Sequence, residues 1–105
     1  MVRCCIYTEF IAYAPVICIM TCNMKRVLWK YGERSYRFVH VDTGVLAQNM
    51  FLVGTALNLN VCPIAAFYDD KVNDLLQIDG KEEFASLLFS LGHKPFGGQR
   101  LHNGL

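Results

Sequence analysis

Charge is scarce in this chain. Only 18% of its 105 residues are Asp, Glu, Lys or Arg, against roughly 25% in an average soluble domain. Ten basic residues and nine acidic ones leave a formal charge of +1, which excludes an electrostatic account of binding to nucleic acid or to a membrane surface. Long apolar runs are missing as well. The longest, from Phe10 to Met20, contains Pro15 and falls well short of the roughly 20 residues that span a bilayer. A leader-like pattern over Met1–Cys22 is interrupted by Glu9 and lacks a clean small-x-small cleavage site, so export is not expected. A regular cysteine framework is absent too. Cys4, Cys5, Cys18, Cys22 and Cys62 are odd in number and unevenly spaced, which argues against a disulfide-stapled secreted domain and for reduced thiols in the cytoplasm. Cys18 and Cys22 fall in a segment that reads as strand, where four residues span about 13 Å, so they cannot share one metal ion.

Apolar residues are plentiful: 53% of the chain, enough for one real core and too many for a disordered state. A surplus of apolar side chains with few charges predicts that part of this chain is buried against something else, either a partner or a missing part of the same domain.

Length allows a single domain over 1–105, and the pattern mixes helices with strands, one of which would need layers above and below it. Residues Thr8 to Tyr13 read as the end of a helix, stopped because Pro15 pushes Ala14 out of the helical region. Val16–Thr21 reads as a strand buried on both faces. Met24–Tyr31 reads as a short helix opening at Asn23 and ending near Gly32. From Arg34 to Leu57 one long helical pattern carries two apolar stripes, Phe38, Val41, Val45, Leu52 and Ala56 beside Leu46, Met50, Val53 and Leu57, and so should be covered on most sides. Asn58 and Asn60 tolerate left-handed geometry and suit its end. Asp69–Leu76 reads as a helix with acids at its N-terminus, Phe84–Leu91 as a strand, and Gly92–Leu105 as loop or arm.

Three constellations could carry chemistry. Half of the ten basic residues lie between Lys25 and Arg37, interleaved with Trp29, Tyr31 and Tyr36. This is either a solvated helical turn or a surface for phosphate and planar groups. A Lys beside a Tyr can move protons near neutral pH only where the ammonium is desolvated. Asn60–Phe67 is apolar with small residues, which suits either a buried strand edge or a backbone that a planar ligand approaches closely. Gly92-His93-Lys94-Pro95 with Arg100 offers cations on a Gly-rich arm. His40 and His93 show no Ser, Cys or carboxylate partner at a telling spacing, and Cys62 has no recognisable base.

In order, Ala14-Pro15-Val16, Trp29-Lys30-Tyr31 with Arg34 and Tyr36-Arg37, Gly44 and Gln48-Asn49, then Cys62-Pro63-Ile64 with Phe67 resemble the C-terminal half of the FMN-dependent nitroreductase family. The nearest likeness is to its SagB-type dehydrogenases, the azoline oxidases of thiazole and oxazole peptide biosynthesis. It runs from about Thr8 to Lys94. The resemblance implies an α+β sandwich, a homodimer with FMN at the subunit interface, and two-electron transfer at flavin N5. It places Pro63, Ile64, Ala65 and Ala66 along the isoalloxazine, with the N–H groups of Ala65 or Ala66 near N5. Arg100 would match a phosphate-binding Arg, and Lys30 and Tyr31 would occupy the catalytic Lys-Tyr position. The family's N-terminal half has no counterpart here, so the expectation is a truncated or split member completed by a complementary half or a second copy. The alternative is a non-catalytic half-domain that serves as a dimerisation or interaction module.

Overall fold

The computed structural model describes residues 2–6 and 9–93. After a short 3-10 turn at Val2–Cys4 come α1 (Glu9–Ala12), β1 (Val16–Asn23), α2 (Lys25–Tyr31), a 3-10 turn at Gly32–Arg34, α3 (Ser35–Ala56), β2 (Leu59–Ile64), α4 (Asp69–Leu76) and β3 (Glu83–His93). The strands form one antiparallel sheet in the order β1-β3-β2. The last strand among the described residues is therefore its centre. Leu88 and Phe89 at the middle of β3 are fully buried, whereas β1, expected to be covered on both faces, is an edge strand and half-buried along much of its length.

Local chemistry sets most boundaries. Asn23 Oδ1 accepts the Lys25 N–H at 3.1 Å, but the N-cap of α2 is Met24 rather than the expected Asn23, and it makes no side-chain capping bond. Gly32, at φ +59°, ends that helix. Asn58 takes φ +60° after α3, and its N–H reaches the Thr55 carbonyl at 3.0 Å. Asn60 does not belong to the helix end; it lies in β2 opposite Gly92. Gly92 and His93 extend β3 beyond the expected Leu91 because Asn60 and Leu59 pair with them. Asp69 and Asp70 open α4, where negative charge suits the helix dipole.

Helices cover both faces of the sheet. On one side Cys4, Cys5, Ile11 and Val72 pack with Ile64, Ala85 and Leu88. On the other lies α3, whose Phe51 ring meets Phe89 edge-on at 5.9 Å. A second cluster of Cys22, Met24 and Val39, with Val27 and Phe84, ties α2 and α3 to the sheet end.

The buried face of α3 differs from the expectation. Its buried residues are Ser35, Val39, Ala47 and Gly54, a narrow stripe of mostly small side chains, with Thr43 half-buried among them. The outer apolar stripe points away: Val41, Val45 and Leu52 are 56%, 61% and 60% exposed. Cover on most sides is thus realised on one side only among the described residues. No helix of the described residues is long and apolar enough to cross a membrane.

Candidate functional site

The segment that leaves β2 makes a tight, pinned turn. Its Phe67 N–H bonds the Ala65 carbonyl at 3.1 Å. The N-terminal segment runs antiparallel beside it: Cys5 bridges Phe67, the Ile6 N–H donates to the Ala66 carbonyl at 3.0 Å, and the Tyr68 N–H donates to the Cys4 carbonyl at 2.7 Å. Pro63 and Ala65 are exposed and Ala66 is half-buried. Outside the strand ladder, the N–H groups of Ala65 and Ala66 find no backbone acceptor among the described residues. This turn therefore offers small side chains and two hydrogen-bond donors to whatever approaches. Ile64 contributes differently, because its side chain is 6% exposed and lies in the core with Leu88 and Val72. Only its main chain remains to face a ligand.

Lys30 and Tyr31 sit at the C-terminal end of α2, and both are exposed. The Lys30 Nζ lies 5.3 Å from the centre of the Tyr31 ring, within cation–π range. Tyr31 is fixed in turn by Phe38 of α3, edge-on at 4.9 Å. Beside them Trp29 is 79% exposed, its Nε1 donating to the Arg26 carbonyl at 2.9 Å. The pair is preformed. No hydrogen bond, ion pair or ring contact among the described residues joins it to Pro63–Ala66. Arg100 and Lys94 lie outside the described residues.

A polar chain that sequence spacing did not reveal crosses from α3 to the sheet. His40 Nδ1 lies 3.4 Å from Ser86 Oγ, Ser86 donates to Thr43 Oγ1 at 3.1 Å, and Thr43 donates to the Val39 carbonyl at 2.8 Å. His40 thus has a serine partner, 46 residues away. The Ser86 proton is committed to Thr43, so His40 donates to Ser86 rather than activating it, and the arrangement ties helix to sheet rather than making a nucleophile. Cys62 is no better a nucleophile: burial pushes its thiol above the usual value, and a hydrogen bond with Ser90 only partly opposes this. Among the described residues no three His, Cys, Asp or Glu side chains converge as metal ligands would.

An apolar hollow of about 270 Å³ lies between α3 and the ends of β2 and β3, walled by Leu46, Met50, Val53, Leu57, Leu59 and Leu91. It lies apart from both constellations.

Residues 2–93 match the model of the nitroreductase family. Over 85 residues the chain is 39% identical to a protein of Methanocaldococcus jannaschii assigned as a nitroreductase, covering 81% of this chain and 41% of that one. A crystal structure from Anabaena variabilis, also assigned as a nitroreductase, superposes with a TM-score of 0.65 at 36% identity, covering 76% of this chain and 16% of that one. The chain therefore spans less than half the length of either relative.

Proposed function

This chain belongs to the nitroreductase family, and from that premise we propose that it is one part of an FMN-dependent oxidoreductase, completed by a complementary half or a second copy. The observation that carries this reading is the segment Pro63–Ala66 at the end of a strand anchored in the core, where Pro63 and Ala65 are exposed and the Ala65 and Ala66 N–H groups find no backbone acceptor among the described residues. FMN, when bound, supplies a two-electron acceptor at N5 of its ring. The residues present fit one wall of such a site. Pro63, Ala65 and Ala66 are small enough to let a flat ring approach the main chain, and the Ala65 and Ala66 N–H groups suit ring atoms that gain negative charge. Arg100 is the candidate for the phosphate.

In the SagB-type reading the substrate is a peptide azoline, and Lys30 takes the proton from carbon at its Nζ while the Tyr31 hydroxyl polarises the neighbouring ring atom. Proton removal by an amine near neutral pH needs a desolvated ammonium. Lys30 is exposed, so the surface that completes the site must also exclude water there. A cytoplasmic setting suits the reduced thiols.

Flavin titration tests this reading. The purified chain, alone and mixed with a supplied N-terminal half, is expected to quench FMN fluorescence in at least the mixed sample. Unquenched flavin in both samples would sink the catalytic proposal.

The outward stripe of α3 favours a second reading, a non-catalytic association module. Burying one Val or Leu side chain contributes about 1.5–3 kcal/mol, so Val41, Val45 and Leu52 together can hold a partner. Sedimentation of the wild type against a Val45→Asp, Leu52→Lys variant separates the cases. Association abolished in the variant, without flavin binding by the wild type, would favour the module over the enzyme.

A further inference from the structure

The turn after β2, which the flavin reading uses, has one bond of its own, from the Phe67 N–H to the Ala65 carbonyl, and is otherwise held from outside. Its outer partners are the Cys4 carbonyl and the Ile6 N–H, which belong to a three-residue strap, Cys4–Ile6. What fastens the strap is a pair of neighbouring thiols. Cys4 and Cys5 are 8% and 3% exposed, and both side chains sit in the core cluster with Ile11, Ile64, Val72 and Leu88.

We propose that Cys4 and Cys5 form a thiol-modification site that controls the Ala65–Tyr68 turn: a mixed disulfide on either residue releases the strap and, with it, the turn. The argument is steric. A protein interior is packed as densely as an organic crystal, and a sulfur substituent larger than hydrogen has no place among those side chains. A modified residue must therefore leave the core. Leaving carries away the Cys4 carbonyl and the Ile6 N–H, and Tyr68 and Ala66 lose their partners together. The chemistry balances with a low-molecular-weight disulfide as oxidant. The cysteine thiolate attacks one sulfur of the reagent, the reagent's S–S bond breaks, a new S–S bond forms to the protein, and the departing thiolate takes up a proton. The cysteine is oxidised and half of the reagent is reduced to thiol.

While the strap is docked the site is protected. Burial pushes the Cys5 thiol above its ordinary value, and the neighbouring Cys4 pushes it the same way. Reaction then proceeds through the opened strap, and its rate reports the opening equilibrium. By linkage, any ligand that holds the turn closed must slow the thiols. That FMN is such a ligand rests on the flavin reading above; the coupling of strap to turn does not.

The test uses the full chain and an aromatic disulfide, 5,5′-dithiobis(2-nitrobenzoate), with modified cysteines mapped by mass spectrometry and amide exchange followed by NMR. Half-buried Cys18 and Cys62 are expected to react before Cys4 and Cys5. Once Cys4 or Cys5 is modified, the Tyr68 and Ile6 amides should exchange at least about tenfold faster, the factor that corresponds to losing one hydrogen bond, while Ala47 in α3 keeps its protection. A Cys4→Ala, Cys5→Val variant should lose this response to reagent. A Cys4→Ser, Cys5→Ser variant, which removes both thiols with little change in side-chain size, serves if the first double variant does not fold. Unchanged Tyr68 exchange after modification, or Cys4 and Cys5 reacting as fast as Cys18, overturns the proposal. Adding FMN separates the two readings. Slower reaction at Cys4 and Cys5 supports both, whereas a working strap whose rate FMN leaves untouched keeps the thiol site and removes flavin from the turn.

Discussion

Gly54 of α3 lies so close to Val61 of β2 that a Cβ at position 54 would overlap the Val61 side chain. Of the two glycines in α3, Gly54 marks where the helix crosses the strand, whereas Gly44 faces open space.

Gly54→Ala sets two effects against each other. Replacing glycine in a helix interior gains about 1 kcal/mol of propensity, whereas overpacking costs about 1–3 kcal/mol. The overlap is with a stiff β-branched side chain, so the second should win and the urea midpoint should fall. Gly54→Ala combined with Val61→Ala should be more stable than the sum of the single changes predicts, and simple additivity in this cycle would show that the two residues do not couple.

Asn73 of α4 is a buried polar side chain whose Oδ1 accepts the Ala85 N–H at 2.9 Å. Asn73→Ala leaves that N–H without a partner inside the protein, at a cost of about 1–3 kcal/mol. Thermal unfolding should move down by at least about 4 °C. A melting temperature within a degree of wild type would mean that another group takes over the bond.

Asp79 organises the approach to β3, its Oδ1 accepting the N–H groups of Lys81, Glu82 and Glu83 at 2.9, 2.9 and 3.1 Å. These backbone bonds hold its carboxyl below the usual 3.8. A folded-state value below the unfolded one gives stabilisation that is complete above the unfolded value and is lost as pH falls through the folded one. Asp79→Ala should therefore be less stable than wild type at neutral pH, with the gap narrowing as pH drops below 3.8. Chemical denaturation at several acid pH values checks this, and a gap that widens on acidification contradicts it.

Lys30 is the residue on which turnover should depend in any assembly that shows activity. Lys30→Ala is expected to lower kcat by about 100-fold or more, the usual worth of a positioned base, while flavin absorbance stays as in wild type. Equal turnover would take Lys30 out of the mechanism.

Elements whose limits are set by their own residues were legible before folding was considered. Helix α4 runs over Asp69–Leu76 as its acids and apolar spacing indicate, and Asn58 turns the chain where its tolerance of positive φ suggests. What stayed hidden depends on partners distant in sequence. Nothing local reveals that Gly92 and His93 are strand, because the reason is Asn60 and Leu59. The pairing of His40 with Ser86, and of the strap with the turn after β2, is invisible for the same cause. Helix α3 shows a subtler limit. Its stripe of Val41, Val45 and Leu52 faces outward and Leu46, Met50, Val53 and Leu57 wall the hollow at the ends of β2 and β3, while the sheet rests on Ser35, Val39, Thr43, Ala47 and Gly54, since close approach of helix to sheet selects small side chains over greasy ones. The Asn60–Phe67 segment reads as a strand edge or as backbone open to a planar group, but only the folded chain shows that the strand stops at Ile64 and that Ile64 is committed to the core.

Pro63 sits within β2, at one border of the three-stranded sheet, and contributes no amide hydrogen to that border. The opposite border, β1, is a run of eight residues without a proline or a charged side chain to discourage docking. Growth of the sheet is therefore one-sided. Among the described residues, a fourth strand would meet no proline alongside Val16–Asn23, although the pairing with β3 shifts register between Met20 and Thr21, and would meet Pro63 alongside Leu59–Ile64.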